Sequence, residues 1–393
     1  MKVCLIIEKD YPQTGTSREV HTLLGLGYNI TLICRTDKNS KKPSREKTKN
    51  LEIIRIKAKP SEKNSIFNNL KEIINVREQV IKHAIKSNPD VIHCHGHMTC
   101  HGVKLKKILK KPLIFDMREN YPDMIWYSRE DKPLYLPFLV FFHKYTERWA
   151  CRKADEILAI VEESKDRLIK LGFDRKKITA IMNAEIPENY SNKKVDVELK
   201  KKLEEKYSKD IIISYIGNFG HHRGLDIAID AMKIVVKEVP NVKFLIVGGG
   251  DGFKELKNKI SPENNIILAG RQPHESLPTY LFISDIGLIP HRSNPHVEST
   301  IPNKIFQNML MGKPQIVSDV KPLKRIINET NSGLVFKAGD PSSLAQSIIK
   351  LAKDEKLRKS LGENGRKAAI EKYNWNVEGE KLTKLYKKLE KRV

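Results

Sequence analysis

The sequence predicts an α/β protein built from two doubly wound halves, and three observations predict it. Apolar runs of strand length recur without polar alternation, each followed by helical or loop sequence, and such strands imply parallel sheets covered on both faces. The series pauses at a Lys-rich break and then resumes. At 393 residues the chain exceeds the roughly 250 to 300 residues at which single cores stop growing, so two domains with a cleft between them are expected.

The first series is KVCLIIE, ITLIC, LEIIRI, VIHCH, PLIFD, EILAIV and ITAIM; the second is IIISYIG, VKFLIVG, NIILAG, IGLIP, PQIVSD and GLVF. Residues 193–209 are expected to form the linker region. The expected domains are 1–192 and 193–372, each a doubly wound, Rossmann-like half. Residues 373–393 read as a basic amphipathic helix in which Trp375, Leu382, Leu385 and Leu389 pack.

Composition excludes several classes. An apolar fraction of 39% with 31% charged residues is that of a soluble globular chain, and no run approaches the roughly 20 apolar residues that cross a bilayer. MKVCLIIEKD reads as a buried strand, not a signal peptide. Cys4, Cys34, Cys94, Cys100 and Cys151 are scattered without a CxxC pair, which favours reduced thiols in a cytoplasm. The net charge of +24 invites a nucleic-acid reading, yet it divides into about +12 for residues 1–190 and about +12 for the rest, without a basic tail. Attraction to anionic surfaces or substrates is the safer inference; the expected location is the cytoplasm, with the inner face of the cell membrane as the alternative.

Ligands of doubly wound sheets bind at the carboxyl ends of the strands, so the loops there hold the candidate residues. Gly217-Asn218-Phe219-Gly220-His221-His222-Arg223-Gly224 joins a strand to a helix starting near Leu225. Its glycines admit an anion to the backbone and Arg223 can add bidentate hydrogen bonds, a phosphate cradle; a loop with a surface arginine is the alternative. Gly248 to Gly252 is a second strand-to-glycine turn, read as a tight turn. Arg271, in AGRQP after another strand, stands where backbone groups can meet a base. In the first half His93, His95 and His97 end one strand, at a spacing that puts them on the same side; no nearby Cys or Glu pair completes a zinc set. Asp116, Arg118 and Glu119 end the next strand, and with His95 they are the candidate catalytic groups or, alternatively, a loop ion pair.

Glu298 to Val317, ESTIPNKIFQNMLMGKPQIV, reads as an apolar-periodic helix with a polar entrance and a Gly-Lys-Pro exit into a strand. Thr300, Pro302, Asn303, Lys304 and Gln307 gather at that entrance, with Pro302 near the first helical position. Phosphate or carboxylate is the expected ligand class; an ordinary core helix is the alternative. Pro133 to Trp149 is aromatic, with Tyr135, Phe138, Phe141, Phe142, Tyr145 and Trp149 between basic flanks. Burial against the sheet is the expected setting, and a membrane interface or lipid acceptor the other.

Taken in order, SYIGNFGHHRGLDIAIDAM, FLIVGGGDG, ILAGRQPHESLPTYLFISDIGLIP, TIPNKIFQNMLMGKPQIVSD, ADEILAIVEESKDRL with IMNAEI, and the terminal NW helix resemble the retaining glycosyltransferases of family 4, along nearly the whole chain. The resemblance implies the GT-B fold of two facing Rossmann-like domains, with a last helix crossing back to the first. It implies that Arg223 grips the diphosphate of a nucleotide-sugar donor, with Lys304 as a supplement, since Asn218 stands where a second basic residue is frequent. The family's paired glutamates fall at Ser299 and Gln307; Gln307 can still meet a ribose hydroxyl, and neighbouring Glu298 can substitute at the sugar if the loop shifts. Gly15 replaces a frequent Gly-Gly, and Asp116-Met117-Arg118-Glu119 stands in place of an Asp-His pair. The implied reaction is hexosyl or N-acetylhexosaminyl transfer with retention, needing no cofactor or obligatory metal. The implied acceptor is a glycan or lipid-linked hydroxyl in surface-glycan, glycolipid or glycoprotein assembly. A nucleotide-sugar epimerase of the same fold and a non-catalytic basic nucleic-acid or membrane binder are the competing classes; the second lacks interleaved aromatic and basic residues.

Overall fold

The computed structural model describes residues 1–58, 66–127, 132–250 and 252–392; Asp251 of the glycine run lies outside them. The chain divides into two compact units, Met1–Pro122 with Tyr135–Met182 and Glu378–Val393, and Asp123–Leu134 with Asn183–Val377.

The first unit carries eight strands: β1 (Lys2–Ile7), β2 (Asn29–Asp37), β3 (Arg45–Lys47), β4 (Leu51–Ala58), β5 (Val91–His95), β6 (Leu113–Met117), β7 (Glu156–Ala159) and β8 (Ile178–Ala180). They lie in the order β3-β4-β2-β1-β5-β6-β7-β8, and all neighbours run parallel except β3, an antiparallel edge on β4. The order reverses between β1 and β5, each of which leads outward on its own side, and such a switch point opens a crevice at the strand ends. Strands β5 and β6 are buried at every residue, as strands covered on both faces must be. One covering layer packs Val76, Val80, Ile81, Ala84 and Leu105 onto β1, β4 and β5.

The second unit carries β9 (Ile211–Phe219), β10 (Val242–Gly250), β11 (Ile266–Gly270), β12 (Ile286–Ile289), β13 (Gln315–Ser318) and β14 (Gly333–Phe336). Their order is β11-β10-β9-β12-β13-β14, all parallel, with its switch point between β9 and β12. The helix Leu225–Glu238 lays Leu225, Ala228, Met232 and Val235 on this sheet. All thirteen anticipated strands are present; β3, three residues with no apolar run, is the addition.

Several expected boundaries move. The Lys-rich stretch is no linker: Val197–Tyr207 is a helix of the second unit, capped by Asp196 accepting from Leu199 N at 3.0 Å and anchored by buried Leu203 and Tyr207. Residues 183–192 fall in the second unit, short of the expected break at 192, because Glu185 and Tyr190 bond to Gln307 there. Gly15 sits in the first turn of the helix Thr14–Gly25, not in a loop. The aromatic segment becomes the helix Leu136–Lys153, but its rings lie outward: Phe138 is 78% exposed and Phe141 68%.

The last helix, Trp375–Glu390, joins the first unit from Glu378 onward. Leu382, Leu385, Tyr386 and Leu389 are buried. The Tyr386 hydroxyl lies 2.7 Å from His93 Nδ1 on β5, Glu378 accepts from Met182 N at 2.9 Å, and Lys388 and Arg392 pair with Glu156 on β7. Leu382→Ala is expected to lower the unfolding free energy by about 2 to 5 kcal/mol, the cost of a cavity at a fully buried leucine. Urea unfolding followed by fluorescence checks it; a change below about 1 kcal/mol would remove this helix from the core.

Candidate functional site

The second unit places its chemistry at the carboxyl ends of β9 and β12. Past β9 the chain makes a tight turn, His221–Arg223, and enters the helix Leu225–Glu238 through Gly224. Gly224 has φ +66°, and a Cβ there would stand 1.9 Å from the Pro290 carbonyl oxygen after β12, so both backbone shape and space demand glycine. Arg292 N donates to His222 O at 3.0 Å and the Arg292 guanidinium pairs with Asp226, which straps the β12 end to this turn. The strap brings Arg223 Nη1 to 3.1 Å from His291 Nε2, which must accept and so lacks a proton on that nitrogen.

Lys304 opens the short helix Lys304–Leu310 and reaches back over β9. Its Nζ lies 3.4 Å from the centroid of the Tyr215 ring, a cation–π contact. A Cβ on Gly217, which has φ +146°, would come within 3.0 Å of that nitrogen. The Lys304 ammonium is shut off from solvent and has no hydrogen-bond partner. Burial, then Arg223, push its pKa well below the usual lysine value. His291 is driven well below the ordinary histidine value by burial and then by Arg223 and Lys304. His222 is pushed down to about 3 by burial first, then by Arg223, His296 and Lys304. Among the described residues no carboxylate pairs with Arg223 or Lys304. The result is a cluster of two basic side chains and neutral histidines with no compensating carboxylate among the described residues.

The remaining predicted donor groups occupy different settings. Pro302 lies before the N-cap residue Asn303, outside the helix it was expected to start. The Glu298 carboxylate accepts from Ser293 Oγ at 2.7 Å and from Lys321 N at 3.0 Å, capping the helix Lys321–Thr330. The Ser299 hydroxyl donates to Pro295 O at 2.9 Å and Thr300 Oγ1 to His296 O at 3.2 Å, so both stabilise their own turn. Arg271 is exposed, with its side chain beside Gly249 on β10. Gln307 Nε2 donates to Glu185 Oε1 at 2.9 Å and to the Tyr190 hydroxyl at 2.8 Å. Glu185 is 1% exposed. A buried carboxylate therefore stands beside Gln307, supplied by the IMNAEI segment, to whose Glu185 the sequence reading gave no role.

The first unit shows the opposite electrostatics at the ends of β5 and β6. Arg118 Nε lies 2.7 Å from Asp116 Oδ2, and its Nη2 pairs with Glu19 of the helix Thr14–Gly25. His95 Nε2 stands 3.1 Å from Glu19 Oε2 and 3.3 Å from Asp116 Oδ2. Burial alone would raise the Asp116 pKa, but Arg118, with His95 and His93, holds it well below the carboxylate range. Burial and Arg118 keep His95 below the ordinary histidine value. Asp116, Arg118, His95 and Glu19 thus form one ion-paired network at the strand ends, the loop ion pair that was the alternative reading of these residues. Glu119 stands in the loop that follows, partly exposed. The strand ends at His95, so His97 turns away through Gly96–Met98 and packs 4.1 Å from Tyr121 instead of joining His93 and His95. Glu19, His93, His95 and Asp116 offer ligand atoms within 4.8 Å of one another. The Arg118 guanidinium already supplies the cation that this set calls for.

These geometries meet the comparisons with known proteins. A sucrose-phosphate synthase from Thermosynechococcus elongatus has the same fold over 100% of both chains, with a TM-score of 0.81 at 16% identity. Anabaena Alr3699/HepE in complex with UDP matches 99% of this chain and 100% of its own, with a TM-score of 0.73 at 16% identity. Two parallel-sheet α/β domains of this kind are the GT-B fold. In sequence, the family described as glycosyl transferases group 1 matches residues 196–368, and that described as Glycosyltransferase Family 4 matches residues 14–184. The chain belongs to glycosyltransferase family 4. An alpha-D-kanosaminyltransferase of Streptomyces kanamyceticus is 23% identical over 308 residues, 76% of each chain.

Two outcomes follow from the site. Gln307→Glu, the residue that the family resemblance implies at this position, sets a second carboxylate against buried Glu185 and is expected to destabilise by about 1 to 3 kcal/mol; a higher melting temperature would refute this account of Glu185. Neutral His222, at about 3 when folded, takes up a proton near about 6.5 when unfolded. The unfolded chain thus binds more protons between these values, and stability is expected to fall as pH drops from about 6.5 toward about 3. His222→Gln should flatten that slope in thermal melts; an unchanged slope would mean that His222 is charged in the folded protein.

Proposed function

We propose that this protein moves a sugar, hexosyl or N-acetylhexosaminyl, from a nucleotide-diphosphate donor to an acceptor hydroxyl with retention of configuration. The observation that carries the donor half is the buried, unpaired Lys304 ammonium beside Arg223, at the switch point of the second sheet. A diphosphate brought there would replace cation repulsion with charge-assisted hydrogen bonds, and the charge that builds on it as the glycosidic bond breaks would meet groups already in place. Arg223 binds and orients, while Lys304 and Gly217 shape the floor of the pocket. His222 and His291, held neutral without an anion, can gain protons when one arrives. Gln307 and Glu185 lie where a ribose hydroxyl is a fitting partner. The binding of UDP by Anabaena Alr3699/HepE supports a nucleoside diphosphate as the first ligand to try. A glycan or lipid-linked hydroxyl is the acceptor we propose, in keeping with the basic surface of this chain.

Calorimetry with UDP, GDP and ADP tests this. One of the three is expected to bind, and Arg223→Ala to weaken it by about 10- to 100-fold, the worth of hydrogen bonds to a charged group. Absence of binding by all three, or full affinity in Arg223→Ala, refutes the assignment. Released nucleotide, measured with a donor panel with and without lipid-phosphate acceptors, separates transfer from donor conversion alone.

A further inference from the structure

The helix Leu136–Lys153 buries the side that looks least suited to a core and exposes the one that looks best suited. Inward it presents Leu136, Val140, Ala150 and Cys151, along with Glu147, which pairs with Arg167 at 2.8 Å. Outward stand Phe138, Phe141, Phe142 and Tyr145, which are 78%, 68%, 54% and 60% exposed. Their spacing of i, i+3, i+4 and i+7 makes one continuous aromatic face along two turns. Soluble surfaces carry single exposed apolar residues routinely, but a contiguous patch marks an interaction site.

Charge decides what covers it. Lys144, Arg148, Arg152 and Lys153 are all exposed on this helix, and its one acidic residue is the buried Glu147. The exposed charges that this helix itself sets beside the aromatic face are therefore all basic, on a chain of net charge +24, and the one acidic group acting on it among the described residues is Glu8, near His143. In a symmetric dimer through this face, each copy's four cations would meet the same four on the other. A surface dense in phosphate turns that repulsion into attraction, while the rings enter its apolar boundary. The helix is not apolar enough to cross a bilayer, which suits one lying in the plane of the surface. We propose that this face docks the protein on an anionic lipid membrane, with the four rings at the headgroup boundary and the four basic side chains on lipid phosphates.

Sedimentation with vesicles of phosphatidylcholine, with and without phosphatidylglycerol, tests this on the full chain. The protein is expected to pellet with the anionic vesicles, to be released by salt, and to stay in solution with phosphatidylcholine alone. Phe138→Ser with Phe141→Ser and Tyr145→Ser should weaken binding at least about 10-fold. Arg148→Glu with Arg152→Glu should weaken it by about 25-fold or more, at roughly fivefold per basic residue near such a surface. All five positions are exposed, so circular dichroism and nucleotide affinity should remain those of the unaltered protein. The proposal is overturned if the unaltered protein ignores anionic vesicles, or if the aromatic variant pellets equally well. It is also overturned if light scattering shows a dimer that the aromatic variant abolishes, or if a soluble acidic protein binds this face while vesicles do not. None of these outcomes bears on the donor pocket, whose nucleotide binding is read separately.

Discussion

Repulsion between Arg223 and the buried Lys304 ammonium is the constraint on which the second unit is organised. Arg223 is half-buried and the Lys304 amine is shut off from water, with no carboxylate beside either among the described residues, a setting unfavourable to the charged form of Lys304. The two side chains persist there because the surrounding backbone is over-determined. Gly224 lets the turn approach Pro290, Arg292 ties that turn to the end of β12, and Tyr215 offers its ring face to Lys304. The fold thus stores an electrostatic deficit at the point where a parallel sheet is open at its strand ends. Neighbouring His222 and His291 give up their protons in response, which limits the accumulated charge while leaving hydrogen-bonding nitrogens in place.

The first unit is built on the same sheet principle with the reverse solution. At the ends of β5 and β6, Arg118 meets two carboxylates, and neutral His95 fills the space between them. Each charge there has an opposite charge within ion-pair distance; Glu19, His95 and Asp116 are buried and Arg118 half-buried. The strand ends of the two sheets therefore differ in charge: one set is compensated from within the chain, and the other holds basic side chains with no carboxylate partner among the described residues.

The fold was legible because buried parallel strands write themselves as unbroken apolar runs, so each of those runs became a strand. Arg223 and Lys304 were legible for local reasons: glycines bracket one, and an apolar helix follows the other. Glu185 was not, since its partner Gln307 lies 122 positions away, and nothing near the IMNAEI segment marks its carboxylate as buried. Glu19 escaped for the same reason, being 99 positions from Arg118. Periodicity located the aromatic stripe of Leu136–Lys153 but misjudged its direction. The opposite side of that helix is also apolar, and only the tertiary structure decides which of two such sides is covered. Pro302 and Gly15 shifted by a turn or less, the ordinary uncertainty of where a helix begins.

The helix Trp375–Glu390 bears on how the chain is made. Tyr386 completes the surroundings of His93 from 293 positions downstream, and its neighbours close the first unit's core. A ribosome delivers the strands of that unit early, yet their last covering layer arrives only after the whole second sheet has been synthesised. The amino-terminal unit must therefore wait, with part of its apolar surface open, while the later one folds. In this connectivity the first domain to leave the ribosome is not the first to have all of its core residues.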